Sequence, residues 1–167
     1  MTTAASLRQR SLLGVKDLSR EEIESILDRA AYWESTGKKI HNAAPDAIVA
    51  NMFFENSTRT RFSFEMAAKR LGAQVLNFSA AVSSVNKGES IYDTVRTLES
   101  IGIDAGIIRL KPIGVLQEIA SRVGVPLINA GDGNNEHPTQ ALLDLYTMRK
   151  HFGEIRGLRV AIIGDIL

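Results

Sequence analysis

The chain has 167 residues, a net charge of +1, 44% hydrophobic residues and 23% charged ones. That is enough chain for one packed core and ordinary for a soluble globular protein, and the balanced charge gives no argument for nucleic acid or an acidic membrane as partner. There is no cysteine, and no two of His41, His137 and His151 stand at metal-ligand spacing, so disulfides, thiolate sites and a metal cofactor all drop away.

No apolar run approaches the roughly 18 residues that span a bilayer, and Met1 to Arg10 is polar and basic rather than a secretory signal. A soluble, cytoplasmic protein is the default. Ser19-Arg20-Glu21-Glu22 is a capping box, and Ile23, Ile26, Leu27, Ala30 and Ala31 follow at helical spacing, so a helix is expected over about 20–35. Ala47 to Phe54 is short and apolar, as a buried strand requires. From Thr58 to Leu71, the positions Phe62, Met66 and Leu71 fit a helix ended by Gly72.

Gln74 to Phe78 is a second strand, Ala80 to Gly88 a small polar loop, and Glu89 to Ile101 a helix with Gly102 behind it. Asp104 to Arg109 is a strand, Pro112 opens a short helix to about Val123, and Val125 to Asn129 is a strand before the loop Ala130 to Glu136. His137 to Phe152 is a helix with Leu142, Leu143, Leu145 and Met148 inward, and Leu158 to Ile163 is a last strand. This alternation predicts an α/β fold: a parallel sheet of four to five strands with helices on both faces, three layers in all. Gly164 to Leu167 follows a strand with no helix behind it, as where a new strand–helix unit opens; a C-terminal edge strand is the plain alternative.

Where the strand ending at Phe54 meets the next helix, Ser57, Thr58, Arg59, Thr60 and Arg61 fall within about one turn. A helix N-terminus offers free N–H groups and positive potential, the hydroxyls add donors, and Arg59 adds a planar fork matched to phosphate oxygens. An ordinary capped helix with surface arginines is the plain alternative, but so dense a cluster favours an anion site. There is no glycine-rich nucleotide loop, so the phosphate belongs to a small molecule. His137 precedes Pro138, a residue favoured at the first helical position, so its ring is free to face a ligand; Gln140 lies about one turn on. A nearby positive helix end would keep the imidazole neutral. Arg109 ends an apolar strand, where a ligand contact and a solvated terminus remain equal readings.

Ser57-Thr58-Arg59-Thr60-Arg61 resembles the carbamoyl phosphate signature of the aspartate and ornithine carbamoyltransferases. His137-Pro138-Thr139-Gln140 is similar to that family's second signature, and Lys87-Gly88-Glu89 to its mobile loop, in the family's order and from about Leu12 onward. Lys87 beside Gly88, and Asn129 to Gly133 ahead of His137, resemble the aspartate enzymes. The resemblance implies transfer of a carbamoyl group from carbamoyl phosphate to the amine of L-aspartate, giving N-carbamoyl-L-aspartate and phosphate in pyrimidine biosynthesis, without a cofactor or metal.

By the same resemblance Ser57, Thr58, Arg59 and Thr60 hold the phosphate, and Arg109 contacts phosphate and carbonyl. Thr60, His137 and Arg109 polarise the carbonyl oxygen, and Gln140 accepts from the carbamoyl NH2. Ser83 and Lys87 match residues that enter a neighbouring subunit's site, which implies a homotrimer. Glu55 matches a position that bridges two domains and would lack its partner here. Residues 1–150 would form the carbamoyl-phosphate-binding domain and 151–167 the start of an aspartate-binding domain, so the chain alone is expected to bind carbamoyl phosphate without turning over. Regulatory or other pyrimidine-pathway chains leave no readable mark. A fragment of an ornithine enzyme and a non-catalytic oxyanion-binding module are the competing readings.

Overall fold

Short runs rich in Ile, Val and Leu pair side by side, and the central ones, apolar on both faces, need a helix over each. The computed structural model describes residues 10–37, 39–79 and 89–164. Its strands are β1 (Ile48–Phe53), β2 (Gln74–Ser79), β3 (Ala105–Leu110) and β4 (Leu127–Asp132), joined in one parallel four-stranded sheet of order β2-β1-β3-β4. The helices are α1 (Arg20–Ser35), α2 (Thr58–Arg70), α3 (Ile91–Ile101), α4 (Val115–Ala120) and α5 (Pro138–Phe152).

The strand period of two sends alternate side chains to opposite faces. On one face Ala50, Met52, Ile108, Leu110 and Leu127 pack against Val95 of α3 and Leu116 and Ile119 of α4. On the other, Phe53, Ile107 and Ala130 pack with Phe64 of α2. Each fully buried Leu, Ile or Met contributes about 1.5–3 kcal/mol, so the first cluster dominates the core. Helix α1 packs on α5, where Tyr146 Oη donates to Glu34 at 2.7 Å and Arg149 pairs with Asp28 at 2.7 Å. Among the described residues no helix is long and apolar enough to cross a membrane.

The expected α/β fold with helices on both faces is present, but four details differ. The segment 158–163 is not a strand, and Val160, Ile162 and Ile163 are exposed. A strand exists through its ladder, and the free edge of β4 is already met by the chain near Leu12: Leu12 N donates to Leu127 O at 2.8 Å and Asn129 N to Leu12 O at 2.9 Å. Strand β4 runs on to Asp132, through residues expected in a loop, because Asn129 and Asp132 bond to each other at 3.1 Å and so tolerate burial. Helix α4 starts only after Gly114, whose left-handed φ of 83° cannot belong to the helix. Phe62 and Met66 share an exposed row of α2, and Leu143 of α5 is exposed as well. The expected loop 80–88, with Ser83 and Lys87, lies outside the described residues.

Candidate functional site

From β1 the chain first moves outward to β2 and later returns to the other side of β1 as β3. Open α/β sheets bind ligands at such a reversal, outside the carboxyl ends of the strands. A cavity of about 790 Å³ lies there, between the starts of α2 and α5. Its lining includes Ser57, Thr58, Arg59, Thr60, Arg109, His137 and Gln140. Residues far apart in sequence meet because β1, β3 and β4 all end on this side.

The start of α2 is chemically open. Ser57 is its N-cap, yet the Ser57 side chain makes no capping hydrogen bond, and no acidic residue lies in the first turn. The first N–H groups of a helix have no acceptor within it, so this turn presents backbone donors beside three hydroxyls. Among the described residues no carboxylate pairs with Arg59. Its near neighbour Arg61 does not line the cavity; its guanidinium stacks over the Phe62 ring at 5.2 Å.

Arg109 stands at the carboxyl end of β3 and is held from two sides. Its Nε donates to Glu55, with which it forms an ion pair, and its Nη1 donates to Ala130 O at 3.0 Å. Glu55 therefore has a partner within this chain, a different one from the inter-domain partner that the resemblance implies. Gly131 completes the seat: a Cβ there would lie 2.6 Å from Arg109 Nη1, and its φ of 121° is one that other residues rarely adopt. Any side chain at 131 would push the guanidinium out.

His137 is the N-cap of α5, ahead of Pro138 at the first helical position, and its side chain makes no cap bond. Burial holds its imidazole below the ordinary histidine range, and the Arg109 charge pushes in the same direction, partly opposed by Asp144. A neutral imidazole carries one N–H and can donate without bringing charge. Thr139 Oγ1 lies 3.4 Å from His137 Nδ1, on the ring edge away from Gly131. Gln140 shares the cavity wall, and its Nε2 donates to Asp144 at 2.9 Å.

Thus Ser57, Thr58, Arg59, Thr60, Arg109, His137 and Gln140 surround one space. Sequence reasoning missed Asn56, Ser63, Phe64, Ala67, Thr139 and Leu143, which also line it. Ser63 lies three residues after Thr60 and Ala67 four after Ser63, a readable helical signal. Leu143 carried the opposite signal, since an apolar residue on a helix reads as core.

The family described as aspartate/ornithine carbamoyltransferase, carbamoyl-P binding domain, matches residues 10–150. The chain belongs to that carbamoyltransferase family. Among solved structures it is similar to aspartate transcarbamoylase from Trypanosoma cruzi in complex with N-(phosphonacetyl)-L-aspartic acid, at 38% identity and a TM-score of 0.90, covering 96% of this chain and 50% of that one. The same protein in complex with carbamoyl phosphate and aspartate matches at 38% identity and a TM-score of 0.89, covering 96% and 54%. The catalytic subunit of the M. jannaschii aspartate transcarbamoylase matches at 43% identity and a TM-score of 0.82, covering 89% and 49%. This carbamoyltransferase chain therefore spans about half the length of the solved structures it resembles.

Proposed function

We propose that this chain supplies the carbamoyl-phosphate-binding part of an aspartate carbamoyltransferase. The observation that carries the reading is the unfilled first turn of α2, with Arg59 beside it and Arg109 and His137 across the same cavity. A doubly charged phosphate ester fits it, since backbone donors, hydroxyls and a guanidinium all favour an oxyanion. The ligands of the similar T. cruzi protein, carbamoyl phosphate and aspartate, support the choice of substrates.

In this reading the aspartate amine attacks the carbonyl carbon of carbamoyl phosphate. The C–O bond to phosphate breaks with its electron pair leaving on phosphate, and the proton of the attacking amine passes to that departing phosphate. Ser57, Thr58, Arg59 and Thr60 hold the leaving phosphate. Thr60, Arg109 and the neutral His137 donate to the carbonyl oxygen as it gains charge, each such donor being worth roughly 3–4 kcal/mol in related chemistry. Gln140 accepts from the carbamoyl NH2. Holding two reactants in line can supply a further ~7–11 kcal/mol.

Ser83 and Lys87 of an adjoining copy completing the cavity, in a cytoplasmic homotrimer, belongs to the same proposal. So does a boundary near residue 150, with the aspartate-binding part beyond it; the exposed apolar side chains of 158–163 support that division. The test is calorimetry with carbamoyl phosphate on the parent and on Arg59→Ala. Binding is expected in the parent and should weaken at least tenfold in the variant, the effect of losing one charged hydrogen bond of about 1.5 kcal/mol or more. A flat titration of both proteins would overturn the reading. Offering aspartate and ornithine side by side to a chain of the family's full length separates the two acceptors.

A further inference from the structure

Asp132 is fully buried at the end of β4, and no ion pair reaches it among the described residues. A carboxylate kept from water without a counter-charge is expensive unless donors surround it. Three converge on it: Asn129 Nδ2 at 3.1 Å, Asn135 Nδ2 at 2.9 Å and the Glu136 amide at 2.9 Å. That all three donate fits an acceptor-only group. Neither Asp132 nor Asn129 lines the cavity, so the mechanism above does not use them.

The donors show what the carboxylate fixes. The Glu136 amide is one residue from His137, so the bond folds the β4–α5 loop back and sets where the His137 ring enters the cavity. Asn129 Nδ2 also donates to Leu13 O at 2.8 Å, and Asn129 Oδ1 accepts from the Gly131 amide at 2.7 Å. Gly131 is the bare surface against which the Arg109 guanidinium rests. One buried carboxylate and one carboxamide therefore hold the supports of both groups.

We propose that Asp132, with Asn129 as its arm, is a positioning residue for His137 and Arg109, setting the shape of the anion cavity without touching the ligand. The proposal rests on the oxyanion reading of that cavity. An apolar residue would satisfy the core, but it would leave the Glu136 amide without an acceptor and the loop free to rotate.

The test uses Asp132→Asn, which keeps the shape and turns one acceptor into a donor. Inorganic phosphate should bind about tenfold more weakly than to the parent, as expected for a misplaced charged hydrogen bond. In a His137→Ala, Arg109→Ala background the same change should cost little more, because its effect runs through those two side chains. Equal binding by parent and Asp132→Asn, or an equal loss in both backgrounds, would overturn the proposal. NMR of the His137 ring and the Arg109 Nε–H without ligand separates the two claims. If the parent fails to bind phosphate, the anion reading falls; shifted or broadened ring signals in Asp132→Asn still support the clamp, and unchanged ones sink it. Should Asp132→Asn not fold, Asn129→Ser leaves Asp132 two donors and is read in the same way.

Discussion

Helices α1 and α3 begin in one manner and α2 and α5 in another. Ser19 and Ser90 each close a complete capping box, with Glu22 and Asp93 returning the bond to the cap residue. Their first donors are consumed by the chain itself, which stabilises the helix and leaves nothing for a visitor. Ser57 and His137 occupy the same structural position in α2 and α5 but make no cap bond, and neither helix has an acidic residue in its first turn. Both open ends face the cavity. The contrast teaches that a helix start left without a cap forgoes stability that its neighbours take.

Closing the open end should have the largest effect. Ser57→Asp supplies both a cap and a negative charge where the anion would sit. Phosphate affinity should fall at least about 100-fold, the result of losing a donor and adding like-charge repulsion. Stability should rise by about 0.5–1 kcal/mol, visible in thermal melts. Arg59→Ala comes next: calorimetry should show a loss of about 10- to 100-fold for one charged hydrogen bond, with stability within about 0.5 kcal/mol of the parent, as for an exposed side chain.

The closed ends should answer in the opposite sense. Ser19→Ala and Ser90→Ala should each cost about 1 kcal/mol of stability, a fall of roughly 2–4 °C in Tm for a chain of this size. Neither should change phosphate affinity. The smallest effect concerns His137, whose folded-state pKa is depressed, first by burial and then by Arg109. The unfolded chain takes up this proton first, so stability should decline as pH falls through the ordinary imidazole range near about 6.5 and continue to decline to the lower folded value. Above that range the contribution is flat. Melts of His137→Gln against pH should show a shallower slope than the parent.

Local features of the sequence were legible. The capping box at Ser19 and the start of the helix after Ser57 depend on neighbours three or four residues away, and both lie where expected. What depends on distant partners was not. The segment 158–163 has the pattern of a strand, yet pattern supplies no ladder. Asp132 reads as a loop residue because polarity argues against burial; the strand end that carries it is held by the ladder to β3 and by Asn129 Nδ2 donating to Leu13 O, 116 positions away. The Glu55 pair with Arg109 joins residues 54 positions apart, so no spacing rule could announce it.

The most direct test of the central claim is a phosphate titration of the uniformly 15N-labelled chain, followed at its backbone amides. The amides of Thr58, Arg59 and Thr60 should shift together and saturate with one affinity, while those of Glu21, Glu22, Tyr92 and Asp93, in the closed first turns, stay still. Shifts of equal size at all three helix starts, or none at Thr58 to Thr60, would contradict the account.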